Sequence, residues 1–154
     1  MNNYDYRVNL VDDYLKKLNL SNEIKKYYSG RNILVTGGAG AIGSNLVTTL
    51  SKLVGNDGMI IVLDNLSAIK GDEPIDLPPL SNMMFVNGDI RNDIDLKRVF
   101  REKPTIVYHL AAFFANQNSV DYPETSADVD IHGMIKLLDL AQFTGVDKFV
   151  YASS

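Results

Sequence analysis

Residues 36–43, with the sequence Thr-Gly-Gly-Ala-Gly-Ala-Ile-Gly, limit the folds open to this chain more than any other segment. They follow an apolar run at residues 33–35 and precede a segment with helical periodicity. In such a strand–loop–helix unit, glycines permit the tight turn, let backbone approach a pyrophosphate and let helix and strand pack closely. Phosphates are favoured at the helix N-terminus by its free N–H groups and dipole. The loop predicts a dinucleotide-binding βαβ unit.

The residues after the loop strengthen this prediction, because a Gly-x-Gly-x-x-Gly pattern alone is a weak signal. Five apolar residues share one predicted helical face: Ile42, Leu46, Leu50, Leu53 and Val54. The turn sequence Gly-Asn-Asp-Gly at residues 55–58 ends this helix. The apolar run at residues 59–63 then predicts a buried parallel strand, which closes on Asp64.

Asp64 indicates which nucleotide cofactor the chain binds. It lies about 20 residues beyond Gly43, the spacing expected for the acid that binds the adenosine ribose hydroxyls. A carboxylate accepts hydrogen bonds from a free 2′-hydroxyl but repels a 2′-phosphate, and residues 65–67 include no Arg or Lys. The sequence therefore predicts NAD rather than NADP.

Composition and charge exclude several other classes of protein. A chain of 154 residues that is 45% hydrophobic and 22% charged predicts one globular domain, and a net charge of −4 argues against nucleic-acid or anionic-membrane partners. No Cys is present, and His109 and His132 lack a metal-ligand spacing, so both histidines are interpreted as structural and no metal is expected. Because neither a secretory signal nor a spanning segment is visible, the predicted location is cytoplasmic.

The first 30 residues predict a helical extension, and residues 31–154 the nucleotide-binding domain. Val11, Tyr14, Leu15 and Leu18 form a helical apolar stripe, and Ser21 is a candidate cap for a second helix ending near Gly30. This apolar stripe is expected to pack against another protein surface. Packing against the domain or against a partner region is the preferred interpretation, with a regulatory role as the alternative.

Residues 65–80 predict a long loop, and the remainder alternates between strands and helices. Strands are predicted at residues 83–87, 105–110 and 148–152. One helix starts near Asp93, and a second covers about 123–144 before Gly145. Leu96, Val99 and Phe100 are predicted to face inward on the first helix. Five residues of the second share helical spacing: Ile131, Met134, Ile135, Leu138 and Gln142. The pattern predicts an α/β fold with a doubly wound parallel sheet, a Rossmann fold truncated after its fifth strand.

Five motifs at the predicted strand ends resemble those of the extended short-chain dehydrogenase/reductase family, particularly its NAD-dependent nucleotide-sugar epimerases and dehydratases. They are Thr-Gly-x-x-Gly-x-x-Gly at 36–43, Asp-Asn-Leu-Ser at 64–67, Gly-Asp-Ile at 88–90, His-Leu-Ala-Ala at 109–112 and Tyr-Ala-Ser-Ser at 151–154. The resemblance covers residues 31–154. Ligands of such sheets bind outside the carboxyl ends of the strands, so the five motifs should form one cleft.

The resemblance implies a set of cofactor-binding residues: Gly37, Gly40, Ala41, Ile42, Gly43, Asp64, Asn65, Asp89, Ile90, Leu110, Ala111 and Ala112. The glycines would shape the pyrophosphate site, Asp89 and Ile90 would contact adenine, and the alanines would line the nicotinamide side. A turn or helix-capping role is the alternative for Asp89, and close packing is the alternative for the alanines.

For catalysis, the resemblance assigns Ser154 to orienting a substrate hydroxyl, because a hydroxyl both accepts and donates a hydrogen bond. The family's Tyr-x-x-x-Lys acid–base pair is not found in these residues, so little turnover is expected from them alone. The preferred interpretation is a fragment, with a natural NAD-binding stub as the alternative. The sequence departs from the family at two positions. Asp130 replaces a frequent Asn, which should weaken a supporting hydrogen bond, and Phe114 stands where some epimerases have Lys.

The resemblance therefore predicts the NAD-binding part of an epimerase that oxidises and re-reduces a nucleotide-linked sugar through a keto intermediate. Ser154 at the family's Ser/Thr position favours an epimerase over a dehydratase. A nucleotide-sugar dehydratase and a non-catalytic NAD-binding module are the alternatives, and a homodimer is one assembly that the resemblance allows for the intact protein.

Overall fold

The computed structural model of the chain describes residues 3–68, 75, 77–113 and 116–153. Its strands are β1 Asn32–Thr36, β2 Met59–Asp64, β3 Met83–Asn87, β4 Ile106–His109 and β5 Lys148–Tyr151. Its helices are α1 Asn3–Leu18, α2 Asn22–Tyr28, α3 Ala41–Val54, α4 Asp93–Phe100, α5 Asn116–Asp121, α6 Pro123–Ala127 and α7 Met134–Thr144. A π-helical segment, Asp128–Gly133, joins α6 to α7.

The five strands form one parallel sheet in the order β3-β2-β1-β4-β5. β1 lies in the middle, with Val35 paired to Val62 of β2 and to Tyr108 of β4. Strand order reverses at β1, which places a crevice at the carboxyl ends of β1 and β4. The predicted doubly wound parallel sheet is confirmed, and β4 and β5 are each shorter than predicted by one or two residues.

Alternate residues of the central strands point to opposite faces and build two apolar layers. Leu34 and Val107 pack with α4 and α7 on one face, whereas Ile33 and Val35 pack against α3 on the other. The inward residues predicted on α4, namely Leu96, Val99 and Phe100, are all buried. Both faces are therefore covered, as an all-parallel sheet requires.

The apolar face predicted on α3 is confirmed at Leu50 and Val54, which are buried, and is wrong at Ile42. Ile42 is 74% exposed, while Ser44, Thr48 and Ser51 are buried beside Val47. Thr48 Oγ1 donates to the Ser44 carbonyl oxygen at 2.7 Å, which satisfies a hydroxyl that would otherwise be costly to bury. A pattern that counted only apolar residues missed these positions because small hydroxyl side chains let the helix approach the sheet closely.

The residues that share helical spacing on the last helix are mostly exposed. Ile131, Ile135 and Leu138 are 53%, 47% and 41% exposed, and Gln142 is exposed as well. Gly133, Leu137 and Ala141 are buried instead. The π-helical segment inserts an extra residue per turn, which rotates the following helix relative to an ideal α-helical pattern.

The N-terminal extension packs on the nucleotide-binding fold. Val11 of α1 is buried, and Asp12 forms an ion pair with Lys52 of α3 at 3.2 Å. Tyr14 and Leu18, predicted in the same stripe as Val11, are 57% and 46% exposed because α1 turns only part of that stripe toward α3. Ser21 caps α2 as predicted, since its Oγ accepts from the Ile24 N–H.

A second contact ties α2 to the sheet. The hydroxyl groups of Tyr28 and Tyr108 lie 2.8 Å apart, which connects the end of α2 to β4. Packing against the domain is therefore the observed arrangement of the extension, and the boundary near residue 30 stays a prediction. Within the described ranges, no helix combines the length and the apolar character needed to cross a bilayer.

Candidate cofactor-binding site

The glycine-rich loop is shaped by two positions that exclude a side chain. Gly37 has φ +70°, and a Cβ atom there would lie 2.6 Å from the Ala111 nitrogen. A Cβ atom at Gly43 would lie 2.6 Å from the Gly38 Cα, because the start of α3 packs directly on the loop. The loop therefore holds β1, α3 and the end of β4 at distances that only glycine permits.

Gly40 has another role, because its surroundings are open rather than crowded. The nearest atom to a Cβ there would be the Gly37 oxygen at 3.4 Å. Gly40 is the N-cap of α3 and carries no side chain to cap the first turn, and the next residues, Ala41 and Ile42, are exposed. The first N–H groups of α3 are thus available to an anion such as a phosphate.

The Asp64 carboxylate is fixed by backbone donors on both sides. Its Oδ2 accepts from the Ala39 N–H at 2.8 Å, and its Oδ1 accepts from the Leu66 N–H at 2.8 Å. A carboxylate offers about four acceptor positions, so about two remain for a ligand. Asp64 can therefore accept hydrogen bonds from a vicinal diol next to the glycine-rich loop.

Asp89 lies at the end of the neighbouring strand and is bound by two side chains. Arg91 donates from Nε to Oδ1 at 2.9 Å and from Nη2 to Oδ2 at 2.7 Å, while Asn65 Nδ2 donates to Oδ2 at 3.0 Å. The Arg91 hydrogen bonds, against the cost of burial, lower the pKa of Asp89 to about 2. Sequence reasoning missed Arg91, although its place two residues after Asp89 was a usable signal.

Ile90 does not present its side chain to this edge. It is 4% exposed, and a Cβ atom on Gly133 would come within 2.7 Å of its Cδ1. The Ile90 side chain therefore belongs to the core, and only its main chain remains available for the predicted contact with adenine.

The turn after β4 lies beside the glycine-rich loop. The Leu110 N–H donates to the Thr36 carbonyl oxygen at 3.0 Å, and the Ala111 N–H donates to Thr36 Oγ1 at 3.4 Å. Leu110 and Ala111 are half-buried and Ala112 is exposed. Close packing is observed at Ala111, and contact between the alanines and the nicotinamide stays a prediction.

His109 is buried beneath this turn, with 2% of its surface exposed. Its Nδ1 lies 2.7 Å from Thr36 Oγ1, and its ring stacks on Tyr151 with 5.7 Å between centroids. Burial lowers its pKa to about 4, so the imidazole is neutral at pH 7. His132 is exposed and lies 3.5 Å from Asp128.

Asp130 supports the loop after β4, and the expectation that its support is weaker than that of an asparagine stays a prediction. Its Oδ1 accepts from the Phe113 N–H at 2.8 Å, and its Oδ2 accepts from Ser126 Oγ at 3.1 Å. Both described partners are donors, so a carboxylate suits the position. Asp130 lies in the π-helical segment, a type of distortion that is frequent at functional sites.

The remaining predicted residues cannot be placed in this way. Ser154 and Phe114 lie outside the described residues, so their sequence-based roles stay predictions. Across the part of the chain that the structure describes, no three His, Asp or Glu side chains are grouped to hold a metal ion. The structure brings Asp64, Asn65, Asp89 and the glycine-rich loop together at the carboxyl ends of β1, β2 and β3.

Comparison with known proteins gives a family match over most of the chain. The model of the NAD dependent epimerase/dehydratase family matches residues 33–154. A putative UDP-glucose 4-epimerase of Methanocaldococcus jannaschii is 40% identical over 123 residues, which cover 79% of this chain and 37% of that protein.

Solved structures of epimerases are also similar to this chain. An epimerase of Methanothermobacter thermautotrophicus is 49% identical with a TM-score of 0.78, and the match covers 86% of this chain and 38% of that one. A Thermus thermophilus UDP-glucose 4-epimerase in complex with NAD is 36% identical with a TM-score of 0.63, covering 80% of this chain and 37% of that one. The chain thus spans less than two fifths of the length of these relatives.

Proposed function

This chain belongs to the NAD-dependent epimerase/dehydratase family, and from that premise we propose that it is the NAD-binding part of a nucleotide-sugar epimerase. The observation that carries the proposal is the position of Asp64, whose carboxylate is held against the glycine-rich loop by the Ala39 N–H at 2.8 Å. A dinucleotide whose pyrophosphate lies at the start of α3 would bring its adenosine ribose to this carboxylate.

The described residues fit NAD at three further points. Gly37 and Gly43 let the loop pack closely on its neighbours, and Gly40 leaves the uncapped first turn of α3, which Ala41 and Ile42 form, open to the pyrophosphate. Asp89 would accept a hydrogen bond from adenine at the end of β3, where Asn65 and the main chain of Ile90 lie beside it. The small residues of the turn at 110–112 would line the nicotinamide side.

The selection of NAD over NADP follows from the charge at Asp64. A ribose 2′-hydroxyl can donate to this carboxylate, whereas a 2′-phosphate would meet its negative charge at hydrogen-bonding distance. Charged hydrogen bonds of this kind contribute on the order of 1.5–3 kcal/mol.

When bound, NAD would supply the hydride-transfer chemistry. The residues of this chain would hold the cofactor, with the turn after β4 on its nicotinamide side. Ser154, three positions beyond the end of β5 in the sequence, would orient the substrate hydroxyl through its own hydroxyl group. The acid–base pair of the whole protein would come from residues outside this sequence.

The substrate proposed for the intact protein is a nucleotide-sugar, and the net reaction is epimerisation. The family model covers dehydratases as well, so dehydration of a nucleotide-sugar is the second candidate. Ser154 at the family's Ser/Thr position supports the epimerase. Assembly of the intact protein as a homodimer is compatible with this proposal.

Titration calorimetry of the chain with NAD and with NADP tests the proposal. We expect NAD to bind and NADP to bind at least about tenfold more weakly, the ratio that one charged contact can produce. A folded chain that gives neither heat nor a thermal shift with NAD at millimolar concentration would overturn the proposal. Equal affinity for NAD and NADP would overturn the role of Asp64.

A further inference from the structure

The acceptor positions of Asp89 are fully used by protein donors. Oδ1 accepts from the Arg91 backbone N–H at 2.9 Å and from Arg91 Nε at 2.9 Å. Oδ2 accepts from Arg91 Nη2 at 2.7 Å and from Asn65 Nδ2 at 3.0 Å. Four hydrogen bonds match the roughly four lone-pair positions of a carboxylate. A new donor can bind Asp89 only if one of these four leaves.

The four donors differ greatly in how easily they leave. Three belong to Arg91, whose guanidinium binds the carboxylate in a charge-assisted, bidentate geometry. Arg91 is held from the other side as well, because its Nη1 donates to Asp128 at 3.2 Å. Asn65 provides the remaining donor through a neutral, exposed amide at the longest distance of the four. The hydrogen bond from Asn65 to Oδ2 is therefore the one that a new donor replaces most readily.

Building on the proposed function, we propose that the Asn65 side-chain amide occupies the acceptor position taken by the adenine 6-amino group, and that Arg91 is a positioning residue that fixes Asp89 for this exchange. Both the amide and the adenine amine are neutral NH₂ donors, so the carboxylate keeps four hydrogen bonds before and after binding. The exchange therefore leaves no buried acceptor without a donor.

This arrangement makes the purine 6-position a point of selection. A 6-oxo purine presents a carbonyl oxygen where the adenine amine would donate, and two acceptors facing each other repel. Because Arg91 prevents Asp89 from rotating away, the carboxylate cannot relieve that repulsion. We expect discrimination against 6-oxo purines to depend on Arg91 and not on Asn65.

The test compares NAD with nicotinamide hypoxanthine dinucleotide, which carries a 6-oxo group, by titration calorimetry on the whole chain. The wild-type protein should bind NAD at least about tenfold more tightly than the analogue. Arg91→Gln should reduce that preference to less than about threefold. Asn65→Ala should keep the preference and bind NAD more tightly than wild type, since no amide needs to be displaced from Asp89.

Arg98→Gln, which removes an exposed arginine of α4, is the matched control and should leave the preference unchanged. Arg91→Lys, which keeps the charge but loses the bidentate fork, is the second variant if Arg91→Gln does not fold, and it should also lower the preference. The inference is overturned if the Arg91 variants weaken both ligands equally, or if Asn65→Ala abolishes the preference. Absence of NAD binding to the wild-type protein would instead refute the proposed function.

Discussion

The Asp64 carboxylate accepts a hydrogen bond from the Ala39 N–H at 2.8 Å, which joins the end of β2 to the loop that follows β1. A second hydrogen bond, from the Leu66 N–H to Oδ1, fixes the carboxylate from the other side. Asp64 is therefore held in place by backbone donors before any ligand binds. A preorganised acceptor loses little conformational entropy on binding.

Replacing Asp64 by alanine should weaken NAD binding about tenfold or more, because a charged hydrogen bond to the ribose is lost. Titration calorimetry measures the change. Asp57→Ala, which removes an exposed carboxylate before β2, is the matched control and should bind NAD as wild type does. Equal affinities for the two variants would show that Asp64 does not contact the cofactor.

Gly37→Ala should lower the free energy of unfolding by several kcal/mol and abolish NAD binding. The new Cβ combines a left-handed φ of +70° with an approach of 2.6 Å to the Ala111 nitrogen. Gly145→Ala provides the comparison, because Gly145 has φ +74° but no described atom lies within 4 Å of its Cβ position. That variant should cost only about 1–2 kcal/mol in urea denaturation. Similar losses in both variants would exclude crowding as the reason for Gly37.

Acidification should destabilise the protein through His109. Its pKa in the folded state is about 4 because of burial, below the ordinary 6.5, so protonation favours the unfolded chain. The stabilisation is complete above pH 6.5 and is lost as the pH falls from 6.5 to about 4, by up to about 3 kcal/mol. Urea denaturation across this range should show the loss in wild type and in His132→Asn, but a flatter profile in His109→Gln. An unchanged slope in His109→Gln would contradict the assignment.

Asp130→Ala should destabilise the protein by about 1–3 kcal/mol, because it leaves the Phe113 N–H and the Ser126 hydroxyl without their acceptor. Asp130→Asn should cost less, since the amide oxygen can still accept from Phe113 and the Ser126 hydroxyl can accept from the amide nitrogen. Thermal unfolding of the two variants gives the order. An asparagine variant that loses as much stability as the alanine variant would show that the hydrogen bonds to Phe113 and Ser126 do not carry the stabilisation.

Gly133→Ala should destabilise the protein by about 1–3 kcal/mol despite the better helix propensity of alanine. The added Cβ would lie 2.7 Å from Ile90 Cδ1. Ile90→Ala removes that atom and also Cγ1, which would lie 2.8 Å from the added Cβ, so the double variant should be more stable than the sum of the two single changes predicts. Additive losses in a double-mutant cycle would exclude direct contact between these residues.

Much of the site could be predicted because its signals are local in sequence. The strand, the glycine-rich loop and the acid after β2 follow one another within about 30 residues, and a βαβ unit brings them together by its own geometry. The importance of Arg91 could not be judged from its neighbours in the sequence. Its importance comes from bonding Asp89 and Asp128 at once, and the latter lies on a distant segment.

The errors concern the faces of helices rather than their existence. Ile42 follows the apolar period of α3 yet is exposed at the cleft, while Ser44 and Thr48 are buried where the helix nears the sheet. On α7 the π-helical segment rotates the apolar stripe, and Gly133 is buried because Ile90 packs against it. Side-chain size at a close contact decided these positions, and periodicity alone carries no information on that contact.

The sequence by itself determined the order of strands and helices, the glycine-rich turn and the place of the acid after β2, because each depends on neighbouring residues and on the fixed periods of helix and strand. Only the tertiary structure decided which face of α3 and α7 meets the sheet, where α1 packs, and how Asn65 and Arg91 divide the acceptors of Asp89. Those features arise from contacts between segments far apart in the chain, where shape and hydrogen-bond geometry select one arrangement among several that the pattern allows.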